Sequence, residues 1–298
     1  LSYTNRAVDE ICGMLVEAGI GFIRLGHELS CAPAYAPYLV SNIVGESPRL
    51  DDMRGRLLRT RVVVSTTSML QSRPFIFSLK HFSLAIVDES SQILEPSIIG
   101  LLASHRPTVS PADGAAAAVG GGPTCNIDKF ILIGDYKQLP AVVQQNDEEA
   151  RVTEPELQAI GLTNCKNSLF ERLIRQEQAA DRTDFIGTLR RQGRMHPAIA
   201  EFPGETFYFA ERLVPVPLRH QQETELGYAL PAQDRVDELL KRHRLLFFAS
   251  EDCRQPDLSD KVNAAEARLV ASLLRRIRRF YGSRFEPDKT VGVIVPYR

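Results

Sequence analysis

Hydrophobic positions along this chain follow two patterns, one typical of strands and one typical of helices. Segments with these patterns alternate along the sequence. Short apolar runs typical of buried strands occur at 22–26, 62–67, 84–87, 130–133, 185–189, 245–249 and 291–295, and the run at 62–67 is β-branched. Between them, apolar residues recur at helical spacing over 4–18, 166–180 and 263–281. Strands that alternate with helices predict an α/β fold with mainly parallel sheets.

The length of the chain predicts two domains. For a chain of 298 residues, we place a first domain at 1–183 and a second at 184–298, with the run Phe185–Leu189 as the strand that opens the second. Residues 104–126 contain alanine and glycine runs together with prolines. This composition predicts a low-complexity surface insertion in the first domain, to which we assign no function.

Acidic and polar side chains follow two of the predicted strands. Asp88 and Glu89 come after the run at 84–87, and Asp135 and Gln138 come after the run at 130–133. Ligands of open α/β sheets bind beyond the carboxyl ends of the strands, so we expect these side chains at one edge of one sheet. Paired acids there suit a Mg²⁺-nucleotide site, in which one carboxylate holds the metal and one acts on the attacking water. The alternative is a pair of strand ends with solvated acids.

Two further segments place hydroxyl and amide groups beside predicted helix or strand ends. Thr4 and Asn5 precede the first helix, and Thr66 and Thr67 follow the run of valines at 62–64. Such groups, together with the N–H groups of a helix N-terminus, suit the phosphate backbone of a nucleic acid. The alternative is a plain helix start and a polar strand end.

The segment Leu189–Pro197 combines basic residues with Met-His-Pro at a predicted helix start. An arginine at a domain edge, such as Arg194, can reach a γ-phosphate across a cleft and stabilise developing charge. The alternative for Arg194 is a surface salt bridge. We expect His196 to cap the helix or donate a hydrogen bond rather than act in catalysis.

Composition adds few restrictions. The formal net charge of −1 shows no overall excess of basic residues, which argues against a nucleic-acid partner. It does not exclude one, because local patches of positive charge matter more than the net charge of the chain. The five cysteines are far apart and lack C-x-x-C spacing, which disfavours metal clusters and disulfides and fits a reducing intracellular setting, cytoplasm or nucleus. No apolar run reaches transmembrane length and the first residues do not resemble a signal peptide, so we expect no membrane partner.

In their order and spacing, these segments resemble the motor core of superfamily 1 helicases, and most closely the branch that contains the nonsense-decay RNA helicase and the replication helicase-nuclease. The resemblance covers nearly the whole chain. The similar segments are Tyr3–Glu10 (motif Ia), Ser65–Ser68 (the next DNA-contact motif), Asp88–Gln92 (Walker B, motif II), Gly134–Pro140 (motif III), Gln192–Pro197 with Phe202, Phe207 and Tyr208 (motif IV), and Val291–Arg298 (the later Ile-x-Pro-Tyr segment).

The resemblance implies two RecA-like domains of the P-loop NTPase class that use ATP and Mg²⁺. Asp88 would ligate Mg²⁺, Glu89 would orient or deprotonate the attacking water, and Gln138 would sense the γ-phosphate. Arg194 would contact the γ-phosphate from the second domain. Thr4, Asn5, Thr66, Thr67, Pro296 and Tyr297 would line a groove for single-stranded DNA or RNA, along which members of this branch move 5′ to 3′.

The chain also departs from the family pattern. It contains no Gly-Lys pair, so the Walker A loop that cradles phosphates is absent, and it ends before the arginine-bearing motif VI. Gly193 stands where motif IV usually has an aromatic residue. We therefore expect both domains to be incomplete, a sheet position to be left unpaired, and ATPase activity of this chain to be weak or absent. The alternative function is a non-hydrolysing module that binds nucleic acid or protein.

Overall fold

A computed structural model describes residues 1–43, 50–105, 125–249 and 262–295. The chain divides into two compact units, Leu1–Ile186 and Gly187–Arg298. All three strand pairs are parallel, and helices separate the strands along the chain, so the predicted α/β fold is confirmed. Within the described ranges, no helix is both long enough and apolar enough to cross a membrane.

The first unit contains two pairs of parallel strands. β1 (Phe22–Arg24) pairs with β2 (Val62–Val64), and β3 (Ala85–Val87) pairs with β4 (Phe130–Leu132). Leu1 and Ser2 join the two pairs, because the Ser2 N–H donates to Ser65 O (3.2 Å) and Leu1 O accepts from the Asp88 N–H (2.9 Å). Leu1 and Ser2 thus lie between β2 and β3 at the carboxyl ends of these strands.

Helices pack on these strands and bury part of their apolar side chains, whereas Ile86, Phe130, Ile131 and Ile133 are between 42% and 48% exposed. The helices are α1 (Asn5–Glu17), α2 (Val40–Ile43), α3 (Leu50–Arg59), α4 (Thr67–Ser72), α5 (Ile76–Leu79), α6 (Ile99–Leu102), α7 (Pro155–Ala159) and α8 (Leu169–Ala179). One apolar cluster includes Ile76, Val87 and Ile93, and a smaller one places Val8 and Cys12 of α1 against β1 and β2. This burial fixes the helices on the strands whose ends carry the polar residues.

The second unit contains a shorter strand pair. β5 (Arg191–Gln192) is parallel to β6 (Val214–Pro215). Its helices are α9 (Pro197–Thr206), α10 (Arg219–Gln222), α11 (Arg235–Arg242), α12 (Ala264–Tyr281) and α13 (Pro287–Thr290). The helix predicted over 263–281 is confirmed, with Asn263 as its N-cap, which accepts from the N–H groups of Ala265 and Glu266.

Three predicted strands are wrong in the described residues. Residues 185–189, 245–249 and 291–295 form no strand, and their apolar side chains are largely exposed, up to 97% for Ile294. An apolar run supplies side chains for a buried strand, but a strand also needs a neighbour that pairs with its backbone groups. Within the described ranges these segments have no such neighbour.

Two predicted features lie largely outside the described residues. Of the insertion predicted at 104–126, the described ends meet in an isolated antiparallel bridge between His105 and Cys125. Pro296 and Tyr297, predicted to contact nucleic acid, lie outside the described ranges.

Candidate functional site

The carboxyl ends of β3 and β4 lie next to each other in the first unit. The parallel register pairs Val87 with Leu132, and the Ile133 N–H donates to Val87 O (2.8 Å). Asp88 and Glu89 therefore leave β3 beside the point at which the segment Gly134–Gln138 leaves β4. The sequence predicted this shared edge, and the structure brings the two acidic segments together there.

Two serines fasten these segments to each other. The N–H and the hydroxyl of Ser90 both donate to Ile133 O, at 2.8 and 2.7 Å. The hydroxyl of Ser91 accepts from the Asp135 N–H (3.2 Å). Gly134 permits this approach, because a Cβ atom there would lie 2.8 Å from the backbone nitrogen of Ser91.

Glu89 occupies an unusual backbone conformation for its residue type. Its φ of 52° and ψ of 35° lie in the left-handed region, which disfavours side chains other than glycine, asparagine and aspartate. The carboxylate of Glu89 accepts a hydrogen bond from Gln92 Nε2 at 3.3 Å. The left-handed residue ends the run of strand conformation after β3, and Gln92 of the same motif contacts the carboxylate.

The segment after β4 is ordered by its own side chains. Asp135 accepts from the N–H of Lys137 (3.0 Å) and from Nε2 of Gln138 (2.9 Å). The ring of Tyr136 contacts that of Phe170 on α8, with ring centroids 6.5 Å apart. Gln138 is exposed, so its amide is held by Asp135 but remains accessible to a ligand beyond the strand ends.

Two helices begin at the same carboxyl edge of the sheet. Thr4 caps α1 by accepting from the Ala7 N–H (3.2 Å), and Thr66 caps α4 by accepting from the Met69 N–H (3.2 Å). The two starts are joined because the Thr67 N–H donates to Ser2 O (3.1 Å). Thr4 and Asn5 are exposed, whereas Thr66 and Thr67 are 9% and 2% exposed.

In the second unit, Arg194 projects from a tight turn between β5 and α9. Its side chain is exposed and has no hydrogen-bond or ion-pair partner within the described residues. His196 caps α9, as predicted: its Nδ1 accepts from the Ala198 N–H (3.1 Å), and its Nε2 lies 3.0 Å from Glu223 O.

The acidic edge has the donor set that Mg²⁺ uses with a nucleotide. Mg²⁺ keeps several waters and is held by one or two carboxylates together with substrate phosphates. Asp88 is half-buried beyond β3, where its carboxylate interacts electrostatically with the ammonium group of Leu1 but has no hydrogen bond or ion pair to a described side chain. No group of three His, Cys, Asp or Glu side chains in the described ranges could hold a metal by itself. A single available carboxylate fits an ion that takes its other ligands from water and phosphate.

Sequence reasoning missed the residues that hold this site together. Ser90, Ser91 and Gly134 join the two motifs, and the left-handed backbone of Glu89 ends the run of strand conformation after β3. The nearest signal was the glycine directly before Asp135, because a glycine at a strand end often marks a close backbone approach.

Several known proteins are similar to this chain in sequence. A family model described as an AAA domain matches residues 165–298. The human DNA replication ATP-dependent helicase/nuclease DNA2 is 27% identical over 314 aligned residues, which cover 100% of this chain and 25% of that protein. JHS1 of Arabidopsis thaliana, which bears the same description, is 26% identical over 99% of this chain and 19% of its own length. The DNA polymerase alpha-associated DNA helicase A of Saccharomyces cerevisiae is 23% identical over 81% of this chain and 32% of its own length. The chain thus spans between about a fifth and a third of the length of these relatives.

The parallel sheet and its acidic edge define the chain as an α/β protein of the RecA-like class. The AAA-domain match over residues 165–298 and the helicase relatives show that the chain is similar to ATP-dependent helicases.

Proposed function

We propose that this chain is part of an ATP-driven motor that moves 5′ to 3′ along single-stranded nucleic acid. The observation that carries the proposal is the joining of Asp88–Gln92 to Gly134–Gln138 at one sheet edge, in a relative of ATP-dependent helicases. The two units, Leu1–Ile186 and Gly187–Arg298, correspond in this proposal to RecA-like domains at 1–183 and 184–298. The relatives are described as DNA helicases, which favours DNA over RNA as the strand and an intracellular site of action.

The proposed roles follow from the positions of the side chains. Asp88 holds Mg²⁺, which would neutralise charge on the β- and γ-phosphates of ATP. Glu89, which follows Asp88 at the end of β3, orients the attacking water and accepts its proton. Gln138, held by Asp135, contacts the γ-phosphate. Arg194 supplies positive charge to the same phosphate from the second domain.

The nucleic-acid contacts are proposed at the paired helix starts. Thr4 and Asn5 are exposed at the N-terminus of α1, where N–H groups and the helix dipole favour a phosphate. Thr66 and Thr67 stand beside them through the link to Ser2. Because both threonines are nearly buried, they contribute to this surface mainly by fixing the start of α4. Pro296 and Tyr297, which lie outside the described residues, stay predicted contacts of the nucleic acid.

The test measures ATP hydrolysis by the longer protein that carries this segment, with and without single-stranded DNA or RNA. We expect Glu89→Gln to lower the stimulated rate by roughly 10²–10⁴-fold, the usual contribution of a general base, without weakening nucleotide binding. Glu156→Gln is the matched control, because Glu156 is an exposed acid on α7 far from the strand ends in sequence. Partial duplexes with a 5′ or a 3′ tail then report the direction of movement.

Two outcomes would contradict the proposal. Equal loss of activity in Glu89→Gln and Glu156→Gln would show that Glu89 has no specific role in ATP hydrolysis. Binding of single strands by a folded protein without any hydrolysis would favour the alternative, a non-hydrolysing binding module. The 298-residue chain tested alone should hydrolyse ATP weakly or not at all, since it has no Gly-Lys pair to cradle the phosphates.

A further inference from the structure

The turn that carries Arg194 is held by its own first residue. Nε2 of Gln192 donates to Met195 O (2.9 Å), and Oε1 of Gln192 accepts from the Met195 N–H (2.8 Å). These two hydrogen bonds close a ring across residues 192–195, which we call the Arg194 turn. They fix the distance between Gln192 and Met195. The orientation of the turn within the second unit depends on other contacts.

Those contacts come from α10, a separate element. Nε2 of Gln221 donates to Gln192 O (3.0 Å) and to Met195 O (2.9 Å), so one amide group spans both ends of the Arg194 turn. Nε2 of His220 lies 2.9 Å from Gly193 O. Both residues follow β6, whose pairing with β5 is extended by a hydrogen bond from the Val216 N–H to Gln192 O (2.9 Å).

Gln221 is buried at a high cost for a polar side chain. It is 5% exposed, and its Oε1 atom has no hydrogen-bond partner within the described residues. Burying an amide whose oxygen has no hydrogen-bond partner is unfavourable. A glutamine at this buried position therefore indicates that its amide nitrogen has a role. The two donations of Nε2 to the Arg194 turn provide that role.

Gly193 fits the same arrangement. A Cβ atom at this position would lie 3.2 Å from Cδ1 of Leu218, the residue that caps α10. The side chain of Leu218 thus lies close to the backbone of the turn at Gly193. In this way, α10 and its cap support the turn.

We propose that Gln221 is a positioning residue for Arg194: through Nε2 it fixes the backbone on which Arg194 reaches the γ-phosphate. This inference rests on the role of Arg194 given above. An arginine that stabilises a transition state must be placed accurately, since a displacement of about 1 Å costs roughly 10²-fold in rate. His220 adds a weaker contact of the same kind from the exposed side of the turn.

The experiment is a double-mutant cycle on kcat in the longer protein that carries this segment. Gln221→Met keeps the length of the side chain and removes both donations, and we expect kcat to fall by roughly 10- to 100-fold, with KM for ATP little changed. In the Arg194→Ala background the same substitution should change kcat less than about twofold, because its effect passes through Arg194. Gln222→Met is the matched control, since Gln222 is the exposed neighbour on the same helix and its side chain does not contact the turn.

The cycle separates this inference from the proposed function. If Arg194→Ala itself leaves kcat unchanged, the role of Arg194 is wrong. If Arg194→Ala lowers kcat but Gln221→Met does not, or if Gln221→Met lowers it equally in both backgrounds, Gln221 is not a positioning residue. Should Gln221→Met fail to fold, His220→Ala serves instead: the exposed imidazole can be removed, and the smaller expected loss must also vanish in the Arg194→Ala background.

Discussion

A glutamate in the left-handed backbone region is the most informative single residue of the first unit. Such a conformation costs about 1–3 kcal/mol and persists only where the surrounding structure imposes it. Here Glu89 lies between the end of β3 and Ser90, which is hydrogen-bonded to Ile133 O, and these two neighbours hold its left-handed conformation. A glycine would adopt this turn without strain, so a glutamate at this position indicates that its side chain is used.

Gly134 offers a direct test of the contact between the two acidic segments. In Gly134→Ala, the added Cβ would lie 2.8 Å from Ser91 N and 3.1 Å from the hydroxyls of Ser90 and Ser91. A backbone atom cannot turn aside as a flexible side chain can, so we expect a loss of about 1–3 kcal/mol of unfolding free energy in urea and a marked loss of ATPase activity.

The control for this substitution is Gly100→Ala on α6. Nothing lies within 4 Å of a Cβ atom at Gly100, so alanine there should leave stability unchanged or raise it slightly. Equal stability of the two alanine variants would show that the acidic segments do not depend on close approach.

At the scale of residues, the sequence predicted which groups share an edge but not how they are held. Asp88 and Gln138 could be placed because apolar runs end in polar residues at the same end of parallel strands. The hydrogen bonds of Ser91 and Gln221 depend on contacts between segments far apart in the chain, and no local pattern reports such contacts. Gln221 in particular lies in a polar stretch that the sequence analysis left without a role.

At the scale of elements, α8 is fixed to the segment that follows the acidic turn. Arg172 of α8 donates to both carboxylate oxygens of Glu95, at 2.7 and 2.5 Å, and both side chains are nearly buried. Arg172 also donates to Ile160 O (2.8 Å) and to Gln176 Oε1 (3.1 Å). This bidentate ion pair and the further hydrogen bonds satisfy the buried charges and fix the position of α8.

We expect Arg172→Met to cost about 3–5 kcal/mol of unfolding free energy, because it leaves the Glu95 carboxylate buried without its partner. Arg175→Met is the matched control on the same helix, where the exposed pair of Arg175 with Glu171 should contribute about 0.3–0.5 kcal/mol. Urea unfolding of both variants gives the comparison. A loss below 1 kcal/mol in Arg172→Met would mean that the pair does not hold α8.

Helices and strands differed in how well the sequence predicted them. The starts of α1, α9 and α12 were recognised from Thr4, His196 and Asn263, whose side chains accept from backbone N–H groups a few residues away. Helix signals of this kind are local. The runs at 245–249 and 291–295 have the composition of strands, but strand formation depends on a partner that composition does not specify.

At the scale of the whole molecule, the two units bury apolar surface very unequally. The two apolar clusters lie in the first unit, whereas Phe280 is the one nearly fully buried apolar side chain in the described part of the second. The second unit relies instead on polar contacts between α11 and α12. Asp237, which is fully buried, accepts from the Gln233 N–H (2.8 Å) and from Arg276 (2.7 Å), and it is paired with Arg279.

The second unit should therefore unfold at a lower urea concentration than the first, and its stability should depend on pH. Burial alone would raise the pKa of Asp237, but the hydrogen bonds from Gln233, Arg276 and Arg279 outweigh it and lower the pKa to about 2. Since the unfolded value is about 3.9, the carboxylate stabilises the second unit above that pH, and this contribution is lost as the pH falls towards 2. We expect two urea transitions, with hydrogen exchange assigning the earlier one to the second unit.

Asp237→Asn isolates this contribution. It should move the earlier transition to lower urea at pH 6, and its difference from the unsubstituted chain should shrink as the pH falls from about 4 to 2. Asp288→Asn, at an exposed position on α13, should change neither. A single transition for the whole chain, or an effect of Asp237→Asn that is independent of pH, would contradict this account.

The place of Leu1 and Ser2 in the sheet has a consequence for synthesis on the ribosome. Leu1 contacts the backbone of Ile86, 85 positions away, and Ser2 pairs with Thr66. At about 5–20 residues per second, Leu1 is made roughly 4–18 s before Asp88. Throughout that interval the backbone groups of Leu1 that bond to Ile86 and Asp88 have no partner, and unsatisfied strand-pairing groups of this kind are exposed to aggregation and bound by chaperones. Leu1 can therefore take its place beside β3 only after translation has passed the codon for Asp88.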